Sequence, residues 1–178
     1  LSGGTEACLT FGLLKAWDAM RVVADDTCRP FSAHRRGLIL GEGAAVFVLE
    51  EMAHAKARGA TILAELAGAG MSADAGDIVA PSAEGAALAI TRTLQDAGLE
   101  AADIGYINAH GTGTVANDAT ETRAIRLALG VHAQDIPVTS TKSMHGHALG
   151  AAGALELVAL VSALEDQFVP PTANFEQG

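Results

Sequence analysis

Cysteine is scarce in this chain: 178 residues hold only Cys8 and Cys28. Two are too few for a disulfide framework at this size, so the expected compartment is a reducing cytoplasm. Positive charge is scarce as well. The 11 Lys and Arg stand against 21 Asp and Glu, a formal net charge of −10, and a polyphosphate chain would meet net repulsion at long range. Nucleic acid is therefore not an expected partner. No long apolar run is present either. The nearest approach, residues 148–164, is interrupted by Glu156 and Ser162 and falls short of the ~20 residues a spanning helix needs. It is expected to be a buried core helix, with no membrane span. No signal peptide or initiator methionine stands at Leu1, and residues 172–178 read as loop, so both ends are expected to be cut. No repeat, low-complexity tract or linker divides the chain, which is expected to be one domain or part of one.

What is present is the material of a core. A composition 49% hydrophobic and 18% charged belongs to a globular chain. Leu9, Leu13, Leu14, Trp17 and Met20 recur at helical spacing and predict a helix over residues 5–23. Residues 44–49, a short run with β-branched members, predict a buried strand. Residues 50–58 run from acids to bases with Gly59 at the stop, which predicts a short helix. A strand over 61–70, a helix over 85–97 ended by Gly98, and a strand over 104–107 leading into Asn108-Ala109-His110 follow. Asn117-Asp118, with Glu121 three residues beyond Asp118, is expected to cap a helix reaching Leu129. Val138-Thr139-Ser140 predicts a strand end, and 146–164 a long helix rich in small residues. Alternating strands and helices imply layered α/β architecture.

Two histidines sit where strand ends give way to glycine-rich sequence. One is His110, in Asn108-Ala109-His110-Gly111-Thr112-Gly113-Thr114; the other is His147, in Lys142-Ser143-Met144-His145-Gly146-His147. Such edges are where α/β sites form. A single histidine is more often a satisfied core or surface residue than a catalyst, but two in matching settings point to shared chemistry. His145 raises the thought of a metal centre, yet its local ligands are weak and no cysteine pair accompanies them, so no metal is expected.

These segments resemble the β-ketoacyl-acyl-carrier-protein synthases of the thiolase superfamily. Elongating members carry one histidine in Ala-His-Gly-Thr and a second in Lys-Ser-Met-x-Gly-His-x-x-Gly-Ala-Ala-Gly. Ala109-His110-Gly111-Thr112 matches the first; Lys142-Ser143-Met144, Gly146-His147, Gly150-Ala151-Ala152-Gly153 and Glu156 match the second in order and register. Arg29-Pro30-Phe31, Gly41-Glu42-Gly43 and Pro170-Pro171-Thr172 are further landmarks, so the resemblance covers nearly the whole chain. The wording Met144-His145-Gly146-His147, with Asn117-Asp118, is more similar to the nodulation protein E branch. The resemblance implies a thiolase-like layered α/β/α/β/α sandwich. Residues 1–178 would form a partial synthase domain: the end of the N-terminal half and most of the C-terminal half.

It also implies an acyltransferase performing decarboxylative Claisen condensation. An acyl group held on cysteine is joined to malonyl-acyl-carrier protein, with loss of CO₂, in fatty-acid, lipo-oligosaccharide or polyketide chain elongation. By resemblance, His110 and His147 stabilise the enolate, Lys142 orients the site and its charges, and Thr112 and Thr114 bind the phosphopantetheine arm. Asn108, Asp118, Glu121 and Glu156 would form a supporting network or hold a structural monovalent cation, with no other cofactor required. The residues alone also allow a surface role for Lys142, a simple turn for the two threonines and a helix cap for Glu121. Glu156, on an apolar helix, needs a buried partner, because an unpaired buried carboxylate is costly; Lys142, His147 or a cation would serve. Implied partners are an acyl-carrier protein, malonyl and acyl thioesters, and a second copy in a homodimer.

The pattern departs from the family where its nucleophile belongs, a cysteine in an Ala-Cys-Ser-Ser turn at a helix N-terminus. Cys8 falls within a predicted helix, and Cys28 precedes Arg29-Pro30-Phe31. The nucleophile is thus expected upstream of Leu1, and the closing Gly-Phe-Gly-Gly-Thr-Asn loop beyond Gly178. Residues 1–178 alone are expected to be inactive. Arg35-Arg36-Gly37 replaces the usual Arg-Asp-Gly, leaving a basic cluster with Arg29 that reads as a solvated loop rather than a docking site. A rival reading is a non-condensing partner subunit resembling polyketide chain-length factors. Retention of His110, Lys142 and His147 speaks against it.

Overall fold

The computed structural model describes residues 1–77 and 80–177. Strands β1 (Ser2–Glu6) and β2 (Gly43–Phe47) pair antiparallel, Ser2 opposite Phe47 through Glu6 opposite Gly43. Residues 2–6, which enter the ribbon, and a turn in which the Thr10 N–H donates to the Cys8 carbonyl (2.7 Å) shorten the expected first helix. It is α1 (Phe11–Ala19), and Cys8 lies before it rather than within it. Cys8, Leu38 and Leu40 form a small core under Leu13, Trp17 and Leu149.

The strand expected at 44–49 is β2, but it is not buried as expected, since none of its residues is buried and Val46 lies largely in water. The short helix is α2 (Met52–Ala57), capped by the Glu51 carboxylate, which accepts the His54 N–H at 2.9 Å. The strand expected at 61–70 does not form: no ladder among the described residues contains it. Gly68 and Gly70 lie against Ala97 and Thr93 of α3 (Ala83–Ala97), and Asp96 takes the Ala69 N–H at 2.9 Å. Helix contacts replace strand pairing there. Helix α3 stands where expected, with Ser82 capping its start and Gly98 its left-handed stop at φ 66°.

Strands β3 (Ile107–Asn108) and β4 (Val138–Thr139) pair in parallel, Ile107 opposite Val138 and Asn108 opposite Thr139. The first is shorter than the expected 104–107 run because a 3₁₀ turn at Ala101–Asp103 ends only at Ile104. Helix α4 (Val115–Leu129) packs along α3 through Ala83, Ala87 and Ala124. Its Ile125 and Leu129 join Ile136, Ile104, Ile107 and Val138 in a second core. The cap of α4 is Thr114, whose hydroxyl accepts the Asn117 N–H at 3.4 Å. The expected Asn117-Asp118 cap with Glu121 is therefore wrong: the helix starts two residues earlier, and both carboxylates reach other backbone amides.

The long helix expected at 146–164 is divided. Lys142–His145 is a one-turn helix, α5; Gly146 turns out of it at φ 74°, and His147 bridges Leu40 in parallel. Only after a 3₁₀ turn at Leu149–Ala151 does α6 (Ala152–Asp166) begin. It packs on β1 and β2 but is not the buried core helix expected, since only Ala152 and Ala163 are buried and Val158 and Leu164 are exposed. A Cβ on Gly4 would stand 2.6 Å from the Gly150 carbonyl oxygen, so this crossing requires glycine. Among the described residues no helix is long and apolar enough to cross a membrane. The parallel pair β3–β4 sends His110 and Lys142 out of the same sheet end, while the Leu40 bridge brings His147 to meet them.

Candidate active site

The imidazoles of His110 and His147 lie 5.3 Å apart, centroid to centroid, with planes at 86°. Residues 109 and 111 hold the first ring in place. The Ala109 N–H donates to the Thr139 carbonyl at 2.8 Å, continuing β3, and the Gly111 carbonyl accepts the Ser140 hydroxyl at 2.7 Å. Glu121 of α4 accepts the His110 and Gly111 N–H groups on its two oxygens, each at 2.7 Å. Gly111 has φ 38°, and a Cβ there would press to 2.4 Å from the Ser140 Cβ. His147 is fixed through residues 39–41: its N–H donates to the Ile39 carbonyl at 2.7 Å, and its carbonyl accepts the Gly41 N–H at 3.0 Å. Its ring Nδ1 accepts the Leu149 N–H at 3.2 Å. Neutral His147 therefore carries its proton on Nε2, free to donate.

Both histidines are held neutral well below pH 7. Burial, then the positive charge of Lys142 and then His147, lowers His110 to about 4. Burial, then Lys142 and His145, lowers His147 to about 4. His110 has an exposed surface although protein crowds round it, whereas His147 is half-buried. Water reaching one edge weakens the crowding effect on His110; the Lys142 charge acts there regardless.

Lys142 is completely buried, and its ammonium pairs with the Glu156 carboxylate from α6. This is the buried partner Glu156 requires, and it rules out a surface role for Lys142. Asn108 lies beside the pair. Its Nδ2 donates to Thr141 Oγ1 at 3.3 Å and to the Glu156 carbonyl at 3.5 Å, while its Oδ1 accepts the Thr141 N–H at 3.4 Å.

The four residues expected to act as one supporting set divide in two. Asn108 and Glu156 stand with Lys142. Asp118, 1% exposed, accepts the Phe31 N–H at 2.8 Å and the Gly113 N–H at 3.2 Å. Arg35 faces Asp118 at 3.7 Å and donates to the carbonyls of Ser32, Thr114 and Val115 at 3.0, 3.2 and 2.9 Å. Burial raises the pKa of Glu121, and Asp118 adds to the rise, while the Gly111 and His110 amides oppose it. The basic cluster is paired residue by residue. Arg29 contacts Asp26 at 2.6 Å and Glu176 at 3.4 Å, and Arg36 lies 3.9 Å from Asp25.

The hydroxyls of Thr112 and Thr114 are 2.9 Å apart, and Thr114 also caps α4. They stabilise their own turn here. Cys8 and Cys28 are both buried, donate to the carbonyls of Gly41 (3.2 Å) and Thr112 (3.6 Å), and have pKa values raised first by burial. Neither is an activated nucleophile. Sequence reasoning missed Thr141, which joins Asn108 to His145 Nε2 at 3.1 Å, and Arg35 as the counter-charge of Asp118. Neither residue's polar role leaves a spacing signature.

Comparison with known proteins gives the family and the fold. The model of the β-ketoacyl synthase C-terminal domain matches residues 63–176, and that of the N-terminal domain matches residues 1–55. Nodulation protein E of a Rhizobium species is 58% identical over 177 residues, covering 99% of this chain and 44% of the relative. The 3-oxoacyl-acyl-carrier-protein synthase 2 of a Synechocystis species is 47% identical over 184 residues, covering 99% of this chain and 44% of the relative. A solved structure described as a type II PKS acyl-carrier protein in complex with its ketosynthase bound to the hexaketide superposes with a TM-score of 0.92. It is 38% identical and covers 97% of this chain and 45% of that one. The chain thus spans less than half the length of these relatives, and its fold is their thiolase-like α/β fold. With a family model covering well over half its residues and the two histidines side by side, this chain belongs to the β-ketoacyl synthase family.

Proposed function

We propose that this chain provides the decarboxylating centre of a synthase that joins an enzyme-bound acyl group to malonyl-acyl-carrier protein. The observation that carries the reading is the pair of neutral imidazoles 5.3 Å apart beside a buried, paired ammonium. As the malonyl C–C bond to the carboxylate breaks, its electron pair moves into the thioester as an enolate and CO₂ leaves. Nε2–H of His147 and an N–H of His110 donate to the enolate oxygen; losing one such donor costs ~2.7–4 kcal/mol of transition-state stabilisation. Burial first, and the Lys142 charge second, keep both rings uncharged, so they donate without repelling each other. The enolate carbon then attacks the acyl thioester, forming the new C–C bond and releasing a cysteine thiolate supplied from outside residues 1–178.

Thr112 and Thr114 would turn their hydroxyls from each other toward the phosphopantetheine arm. The carrier-protein complex of the solved ketosynthase supports such a partner, and a homodimer is the assembly we expect, in the cytoplasm. A structural monovalent cation would be held by Asn108 and Glu156, which lie beside Lys142; no step passes through it. The pathway would be chain elongation of fatty-acid or polyketide type. In the full-length protein, His110→Ala and His147→Ala should each lower malonyl-thioester decarboxylation by about 10²–10³-fold. Wild-type rates in both variants would remove the mechanism. A wild-type protein with no decarboxylation at all would instead favour the non-condensing subunit.

A further inference from the structure

Resting on that reading, we propose that Asn174 is a positioning residue: its side-chain amide clamps the one-turn helix carrying Lys142 to the loop at Thr27 and Cys28. The segment after Pro170-Pro171 lies across both. The Ser140 N–H donates to Thr172 Oγ1 at 3.0 Å, and the Ala173 N–H donates to Ser143 Oγ at 2.8 Å. Asn174 Nδ2 then reaches three oxygens: Thr27 Oγ1 at 3.1 Å, the Cys28 carbonyl at 3.2 Å and the Ser143 carbonyl at 3.4 Å.

The Ser143 carbonyl is the telling acceptor. A four-residue helix leaves most of its carbonyls without intrahelical partners, and an isolated turn is unfavourable on its own. External bonds therefore decide whether Lys142–His145 stays wound. Two of them come from the strap, at Ser143 Oγ and at the Ser143 carbonyl, next to Lys142 itself. Asn174 also suits its backbone, φ 60°, a left-handed conformation in which asparagine is enriched. Glycine tolerates that conformation without an amide. Aspartate keeps the shape but points oxygens at two carbonyls.

The consequence lies one bond further on. If α5 loosens, the Lys142 ammonium shifts relative to His147, whose low proton affinity depends partly on its charge. The test compares Asn174→Gly and Asn174→Asp with wild type in the full-length protein, measuring malonyl-thioester decarboxylation against pH and backbone hydrogen exchange over residues 140–147. Both variants should lose about tenfold or more in kcat, as small misplacements do, with KM little changed. The acid limb set by His147 should move upward from near pH 4, and exchange at 143–146 should rise. The Asp variant decides the matter if the Gly variant fails to fold. Unchanged exchange overturns the clamp, whatever the activity. Lost kcat with an unmoved acid limb also overturns it, by assigning Asn174 a merely structural role. A wild-type protein that does not decarboxylate refutes the proposed function, while the exchange measurement still judges the clamp.

Discussion

The surroundings of the histidine pair and the β1–β2 ribbon are held in opposite ways. Around the pair, Lys142 has Glu156, Asp118 has Arg35 and two amides, and Glu121 has the amides of residues 110 and 111. On the ribbon side, Val46 is 69% exposed, Val48 71% and Leu66 72%. Apolar surface left in water gains none of the ~25 cal/mol per Å² that burial would bring. Short-range polar bonds thus fix the site, while these outer side chains of the ribbon gain little burial within residues 1–178.

The largest expected effect tests the polar side of this contrast. Glu156→Ala removes the only counter-charge the described residues give Lys142, which is fully buried. Breaking a buried pair by deleting one partner costs about 3–5 kcal/mol, which urea denaturation of wild type and variant would measure. A loss below about 1 kcal/mol, the worth of an exposed pair, would mean the ammonium reaches water and the contrast fails.

Asp118→Asn comes next. The amide keeps the side chain's shape, but one of its two positions becomes a donor facing a backbone N–H, and Arg35 loses its opposite charge. Hydrogen bonds to charged groups contribute about 1.5–3 kcal/mol, so a drop of that order in unfolding free energy is expected. Arg35→Lys should recover little of the wild-type arrangement, because an ammonium cannot span three separate carbonyls as the planar guanidinium does.

What could be read from the sequence follows the same division. Helix α3 was legible because its Gly98 stop is a local signal, and His110, His147, Lys142 and Glu156 because a family pattern names them in register. The strand expected at 61–70 was not, since pairing depends on a neighbour that spacing does not supply, and small residues took it onto α3 instead. The cap of α4 was misread for a related reason. Asp118 and Glu121 have cap chemistry, but both satisfy amides of loops brought together only by the fold. Asn174 carried no signal except its place after Pro170-Pro171-Thr172.

Acid should weaken the fold too, and with a definite sign. His110 and His147 take protons near pH 4 when folded, against 6.5 ordinarily. As pH falls below 6.5 the unfolded chain binds protons first, so stability declines from there and the decline levels off below about 4. Between pH 5 and 6.5 most carboxylates are still ionised, and the slope in that window reports mainly the histidines. A double variant, His110→Ala with His147→Ala, should flatten it in melting temperatures taken across this range. An unchanged slope would show that the rings are not held neutral by their surroundings, and the site would lose its claim to be prearranged.

The smallest effect belongs to the ribbon. Val46→Thr keeps β-branching opposite Gly3 and places a hydroxyl where the side chain is already mostly in water. Surface substitutions away from special features stay within about 0.5 kcal/mol, and that is the expected change in denaturation of the 178-residue chain. A cost above about 1.5 kcal/mol would be that of putting a hydroxyl into an apolar contact. In that event the ribbon face is covered in solution, a cost rising with protein concentration would identify a second copy as the cover, and the site would no longer be the better-held region.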